Sequence, residues 1–218
     1  MIQIIPSLLV PDKQTFLREL RGLKDSVKML QIDIADGVFV PDKTWADPTV
    51  IKNHLEIDCE LHLMVADPLS VAKTWEGVSQ VKRILVHYES VKDWGETLPR
   101  LLALDWDVSI VLNPETPITV LDLNLDIDLL KGVMFMGVHP GKQHQPFIPE
   151  VLKKIKALRA KGTRHFVEID GGVNEDTLPQ IIASGVDAIC PGSAIFGNER
   201  TPVENVERMR ELIEQLTK

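Results

Sequence analysis

Eight short apolar runs recur along the 218-residue chain, and their regular spacing constrains the fold more than any other feature. Successive runs begin about 25–30 residues apart, which is the length of one strand followed by one helix. The runs are rich in isoleucine, valine and leucine without clean alternation, as expected of parallel strands covered by helices. We therefore expect strands near residues 2–5, 29–33, 59–64, 83–87, 108–112, 132–136, 165–169 and 188–190.

No linker, low-complexity tract or block of charge divides these eight units. One closed (β/α)8 TIM barrel, a single domain over residues 1–218, is therefore favoured over an open doubly wound sheet. Thr201 and Glu204 form a capping-box pattern that predicts the start of the last helix. An apolar stripe behind them fits a helix docked on the barrel, with Val206, Met209, Leu212, Ile213 and Leu216 at helical spacing.

The composition is typical of a soluble globular protein, with 44% hydrophobic and 26% charged residues. A formal net charge of -8 argues against nucleic-acid and anionic-membrane partners, because both carry negative charge. No apolar run approaches the roughly 20 residues that a transmembrane helix needs. Cys59 and Cys190 have neither zinc-motif nor disulfide-framework spacing, which suits a reducing compartment. We expect a cytoplasmic protein, and the sequence leaves homo-oligomer formation open.

Polar residues gather where the strands are expected to end, which is the active-site face of a (β/α)8 barrel. Asp33 ends the second run and Asp170 follows the seventh, so the two carboxylates can face each other across the closed sheet. Further polar residues at this face are Ser7, Asp36, His62, His87, Glu89, Asn113 and His139. A carboxylate pair can remove a proton from one face of a carbon and return one to the other. The sequence thus favours the chemistry of an epimerase.

Glycines follow the seventh and eighth runs, where barrels of this type frequently build a phosphate site. The pairs Gly171-Gly172 and Gly192-Ser193 let backbone N–H groups approach an anion closely. A short helix predicted over Ser193–Phe196 would direct its positive end to the same place. Ordinary turn glycines are the alternative, but the joint position of the two pairs favours phosphate binding.

Seven segments in this order resemble those of ribulose-phosphate 3-epimerases. No single motif is decisive, but their order and spacing are specific and extend over nearly the full chain. The segments are IPSLL (5–9), IDIADGVFVP (32–41), LHLMV (61–65), LNPETP (112–117), FIPE (147–150), DGGVN (170–174) and GSAIF (192–196).

The resemblance implies that Asp33 and Asp170 are the acid/base pair. It also implies that Asp33, His62 and Asp170 bind one divalent metal ion, with zinc, iron, manganese and cobalt as candidates. The implied reaction is metal-assisted proton transfer at C3 between D-ribulose 5-phosphate and D-xylulose 5-phosphate, a step of the pentose phosphate pathway. The implied contacts of this small phosphorylated ketose are Ser7, His62, Met64, Met136, Gly141, Gly171, Gly172, Gly192 and Ser193.

The chain departs from the family pattern at the site itself. The family's first metal histidine is Gln31 here, and an amide oxygen is a poorer ligand for zinc or iron than imidazole. Ala35 replaces the methionine that usually follows the second strand. The family loop Asn-Pro-Gly-Phe-Gly-Gly reads HPGKQH at 139–144, where Lys142 is a candidate phosphate contact.

The roles of two loop histidines stay open at this stage. His139 is a candidate replacement ligand or substrate contact, with a solvated loop histidine as the alternative. His144 has no assigned role.

Two other functions compete with epimerisation. Gln31, Ala35 and the altered loop motivate a divergent phosphosugar-binding paralogue with little or no activity. A decarboxylase or lyase on a related phosphate-binding barrel is the other alternative. Those enzymes carry an Asp-x-Lys-x-x-Asp array, and Ala35 occupies the lysine position here, which disfavours that alternative.

Overall fold

The computed structural model describes residues 2–23, 26–122, 126–141 and 145–218. Within these ranges nine parallel strands form a single sheet, in the spatial order β1-β9-β8-β7-β6-β5-β4-β3-β2. The strands are β1 (Gln3–Ile4), β2 (Ser7–Leu8), β3 (Met29–Ala35), β4 (Asp58–Met64), β5 (Val81–His87), β6 (Asp107–Leu112), β7 (Gly132–Met136), β8 (Phe166–Asp170) and β9 (Ala188–Cys190).

Residues 3–8 close this sheet, because β1 pairs with β9 while β2 pairs with β3. The strand predicted near 2–5 is confirmed by β1, and the structure adds a second short strand, β2, that begins at Ser7. Pro6 lies at the break between the two pieces and has no N–H to donate. Its carbonyl oxygen accepts from the N–H of Gln31, while the N–H of Ser7 donates to Pro191 on the other side. The chain thus changes partner at Pro6, and the predicted (β/α)8 barrel is confirmed.

Helices cover the outer face of the sheet and connect its strands. They are α1 (Lys13–Leu23), α2 (Pro48–His54), α3 (Pro68–Lys73), α4 (Trp94–Leu102), α5 (Val151–Ala160), α6 (Leu178–Ile182), α7 (Ser193–Phe196) and α8 (Pro202–Leu216). The predicted capping box is present at the start of α8, where Thr201 and Glu204 exchange hydrogen bonds. None of the described helices is long and apolar enough to cross a membrane.

The apolar stripe of α8 packs mainly through three of its five predicted members. Val206, Met209 and Ile213 are buried, whereas Leu216 is 43% exposed at the last turn. Most of the core lies between the helices and the outer face of the sheet. A second cluster fills the barrel itself and consists of Ile5, Leu85, Val111, Met134, Met136, Ala188 and Cys190.

Candidate active site

Two strands bring the predicted carboxylates together at one end of the barrel. Asp33 lies in β3 and Asp170 is the last residue of β8, and both are buried. One amide group bridges them, because Nε2 of Gln31 donates to Oδ1 of Asp33 at 2.8 Å and to Oδ2 of Asp170 at 2.9 Å. Gln31 and Asp33 share the inner face of β3 because side chains alternate along a strand.

His62 completes this cluster from the neighbouring strand. The register pairs Asp33 of β3 with His62 of β4, and His62 is fully buried. Its Nδ1 lies 3.0 Å from Oδ1 of Asp33 and 3.3 Å from Oδ2 of Asp170. Asp33, His62 and Asp170 each offer one ligand atom, all within 4.8 Å of one another, so the three residues fit a divalent metal ion.

The close packing of these groups changes their protonation. Burial alone would lower the pKa of His62, but hydrogen bonds and charges from Asp170 and Asp33 raise that pKa to about 9. Burial raises the pKa of Asp33, and the nearby charge of Asp170 raises it further against the opposing effect of His62. Without a metal ion, the cluster therefore holds a protonated imidazole between two carboxyl groups at neutral pH.

His87, at the end of β5, contacts the His62 ring on the side away from the carboxylates, a role that the sequence did not indicate. Its Nε2 lies 2.9 Å from Nε2 of His62, and its Nδ1 lies 3.5 Å from Oε2 of Glu89. Burial lowers the pKa of His87 to about 4, so its ring is neutral and can accept a hydrogen bond. Alternation along β5 from Arg83 through Leu85 to His87 is the sequence signal that places this ring inside the barrel.

A cleft opens above the carboxylates, and ten of the predicted site residues line it. They are Ser7, Asp33, Met64, Met136, Gly141, Asp170, Gly171, Gly172, Gly192 and Ser193. His62 lies beneath the cleft, since its side chain is fully buried. The sequence reasoning did not single out the other lining residues, which are Leu9, Val138, Pro140, Gln145 and Val173.

The glycine pair after β8 has a backbone shape that other residues do not adopt easily. Gly171 and Gly172 have φ values of +95° and +70°, in the left-handed region. A Cβ on Gly171 would lie 2.4 Å from Cγ2 of Val138, and one on Gly172 would lie 2.9 Å from Phe147. This loop therefore needs glycine for both conformation and space, which leaves its backbone open toward the cleft.

Part of the altered loop after β7 lies among the described residues, and its first histidine faces away from the predicted ligands. His139 lies 3.2 Å from Oε1 of Glu115 with 61% of its side chain exposed, so the ligand hypothesis is wrong and the solvated-histidine alternative describes it. Lys142 and His144 lie outside the described residues.

A second buried charged cluster lies one layer deeper in the barrel. Nη1 of Arg83 donates to Oε2 of Glu60 at 3.0 Å and to Oε1 of Glu168. All three side chains are buried, and Cys190 lies beside them. Glu60, Glu168 and Cys190 have metal-ligand spacing. The guanidinium already pairs with both carboxylates, so we interpret this cluster as an ion triad.

Fold and site together define a (β/α)8-barrel enzyme whose strand ends carry carboxylates suited to acid/base chemistry. The sequence model of the Ribulose-phosphate 3 epimerase family matches residues 3–196. The chain belongs to this family and is an epimerase-type isomerase.

Curated relatives agree with this assignment, and solved structures share the fold. The ribulose-phosphate 3-epimerase of Bacillus subtilis is 31% identical over 90% of this chain and 93% of its own length. The ribulose-phosphate 3-epimerase of Schizosaccharomyces pombe is 32% identical over 95% of this chain and 92% of its own length. Among solved structures, orotidine 5'-monophosphate decarboxylase from Sulfolobus solfataricus aligns with a TM-score of 0.69 over 100% of both chains. At 13% sequence identity, this structural similarity shows a shared fold and nothing more.

Proposed function

We propose that this enzyme interconverts D-ribulose 5-phosphate and D-xylulose 5-phosphate by moving a proton at C3. The observation that supports the proposal most is the pair of buried carboxylates, Asp33 and Asp170, at the base of a cleft lined by glycine loops. A ketose bound between them presents opposite faces of C3 to the two groups. One carboxylate then removes the proton, and the other carboxyl returns a proton to the opposite face.

Environment suits the two carboxyl groups to complementary roles. Burial and the nearby charge of Asp170 raise the pKa of Asp33, which suits this carboxyl group to return the proton. Asp170, at the open end of β8, is then the base for D-ribulose 5-phosphate. In the reverse reaction the two groups exchange roles.

A proton next to a carbonyl is too weakly acidic for a free carboxylate to remove unaided. Asp33, His62 and Asp170 would hold a divalent ion, which when bound supplies Lewis-acid stabilisation to the developing enolate oxygens. His62 would present Nδ1 to that ion, because its Nε2 faces the neutral ring of His87.

The remaining residues position the sugar phosphate. The backbone of Gly171, Gly172 and Gly192 together with Ser193 would bind the phosphate, because open glycine loops bring N–H groups close to an anion. Ser7 would orient the sugar, and Met64 and Met136 would form apolar walls beside the reacting carbons.

A second candidate function is a phosphosugar-binding protein without turnover. The amide bridge from Gln31 to both carboxylates favours it, because the two hydrogen bonds satisfy the pair in the absence of an ion. A decarboxylase is disfavoured, because Ala35, buried at the end of β3, occupies the position where those enzymes carry a lysine.

An epimerase assay on D-ribulose 5-phosphate distinguishes the first two candidates. The protein is stripped of metal, reconstituted with zinc, iron, manganese or cobalt, and its metal content is measured on the assayed sample. Turnover that rises with occupancy supports the epimerase. Binding of D-ribulose 5-phosphate at full occupancy without turnover would instead support the binding protein.

A further inference from the structure

Four polar atoms at the base of the cleft are spaced like the corners of a metal coordination shell. Nε2 of Gln31 lies 2.8 Å from Asp33 Oδ1, 2.9 Å from Asp170 Oδ2 and 3.4 Å from His62 Nδ1. Nδ1 of His62 lies 3.0 Å and 3.3 Å from the same two oxygens. Ligands bound to a divalent ion at about 2.1 Å are separated by roughly 3.0 Å in octahedral and 3.4 Å in tetrahedral geometry. The end of the Gln31 side chain therefore lies at a ligand position.

Without an ion, the Gln31 amide directs its nitrogen, not its oxygen, at this ligand position. Its NH2 group donates to two carboxylates and has no lone pair to offer a metal. Among the described residues, none donates a hydrogen bond to the buried Oε1 of Gln31. A buried acceptor without a partner costs free energy, so a conformation that gives this oxygen a partner is stabilised.

Rotation of the amide by about 180° about its last side-chain bond exchanges the two atoms and leaves the backbone in place. Without an ion, the NH2 orientation is favoured because an oxygen at that corner would face two carboxylate oxygens. With a cation at the centre of the shell, the oxygen orientation is favoured, and Oε1 gains the partner that it lacks.

We propose that Gln31 Oε1 is the fourth protein ligand of the divalent ion and shifts the site's preference from zinc toward manganese. The resulting donor set is three oxygens and one imidazole nitrogen. Carboxylate and carbonyl oxygens suit manganese and magnesium, whereas imidazole suits zinc. This inference rests on the proposed function only in placing an ion at Asp33, His62 and Asp170.

The test is a competition between Mn2+ and Zn2+ on metal-stripped protein without substrate. Bound metals are quantified by mass spectrometry after equilibration at buffered free concentrations. We expect Gln31→His to raise the ratio of zinc affinity to manganese affinity about tenfold or more. Gln80→His is the matched control, because Gln80 donates only to backbone carbonyls of Lys52 and Leu55 away from the cleft. An equal affinity ratio in wild type and Gln31→His would overturn the proposal.

A measurement on the wild-type chain makes the result independent of variant folding. The side-chain NH2 signals of Gln31, assigned by their absence in Gln31→His, are followed by 15N-edited NMR during titration with diamagnetic Mg2+ or Zn2+. Loss of the two carboxylate hydrogen bonds predicts an upfield shift of both protons on binding. Unshifted signals at saturation would show that the amide stays in place and would refute its rotation. Because neither readout involves substrate, failure of the epimerase assay leaves this test intact.

Discussion

Nε2 of His62 and Nε2 of His87 lie 2.9 Å apart inside the barrel, and the two rings stack with centroids separated by 5.0 Å. One of the two nitrogens must carry the proton. The low pKa of His87 makes it the acceptor, so His62 donates through Nε2 and keeps Nδ1 directed at the carboxylates. His87 thereby fixes the tautomer and the ring orientation that metal binding needs.

Replacing His87 by phenylalanine removes this acceptor and frees the His62 ring. We predict that His87→Phe weakens Mn2+ binding about 10–100-fold, as typical for an outer partner of a ligand. Titration calorimetry on metal-stripped protein measures the effect. His54→Phe, at the exposed end of α2, is the matched control, and equal affinities in the two variants would contradict the assigned role.

Metal affinity should rise with pH, because the ion must displace the proton of His62. Since the pKa of His62 is raised to about 9, its proton is present at neutral pH and is lost only as pH rises through that value. We predict about a tenfold gain in affinity per pH unit from pH 6.5 to 8.5, levelling off near pH 9. Calorimetry in buffers of different ionisation enthalpy should show release of about one proton, and a pH-independent affinity would exclude this linkage.

The glycine loop after β8 should be sensitive to a single methyl group. Gly172→Ala places a Cβ 2.9 Å from Phe147 at a φ of +70°, so we predict a loss of about 2–4 kcal/mol in unfolding free energy. Gly162→Ala has a similar φ of +76° with nothing within 4 Å, and should cost only about 1 kcal/mol. Urea unfolding compares the two variants. Equal losses would mean that the close approach of Phe147 is unimportant.

Removing one member of the buried ion triad should lower the free energy of unfolding much more than replacing all three members together. Arg83→Met leaves Glu60 and Glu168 buried without their cation, and we predict a loss of about 3–5 kcal/mol in unfolding free energy. Adding Glu60→Met and Glu168→Met makes the whole triad apolar and should restore most of that loss. A triple variant as unstable as Arg83→Met alone would show that the arginine stabilises by packing instead of by charge.

Much of the fold follows from short segments of sequence, because each βα unit carries its own apolar run and turn residues. The carboxylates Asp33 and Asp170 were predictable for the same reason, since each lies at or near the end of a recognisable strand. The division of the first strand was less visible, although Pro6 at the break was its signal. In each of these cases the information lies within a few neighbouring residues.

The features that sequence reasoning missed depend on several strands at once. The amide orientation of Gln31 is set by groups on β3, β4 and β8, and no local pattern encodes that combination. Glu60, Arg83 and Glu168 occupy inward positions of strands that were read only as apolar runs. Alternation along β4, β5 and β8 gives the direction of each side chain but not which charges meet across the barrel.

The central claim is that one of the two carboxyl groups, Asp33 or Asp170, removes the proton at C3 of the ketose and the other returns a proton to the opposite face. Its most direct test is 1H NMR of D-ribulose 5-phosphate in D2O with wild type and Asp170→Asn at equal metal occupancy. We predict deuterium incorporation at C3 by wild type and a loss of about a hundredfold or more in the variant, with D-ribulose 5-phosphate still bound. Exchange by Asp170→Asn at the wild-type rate would contradict the account.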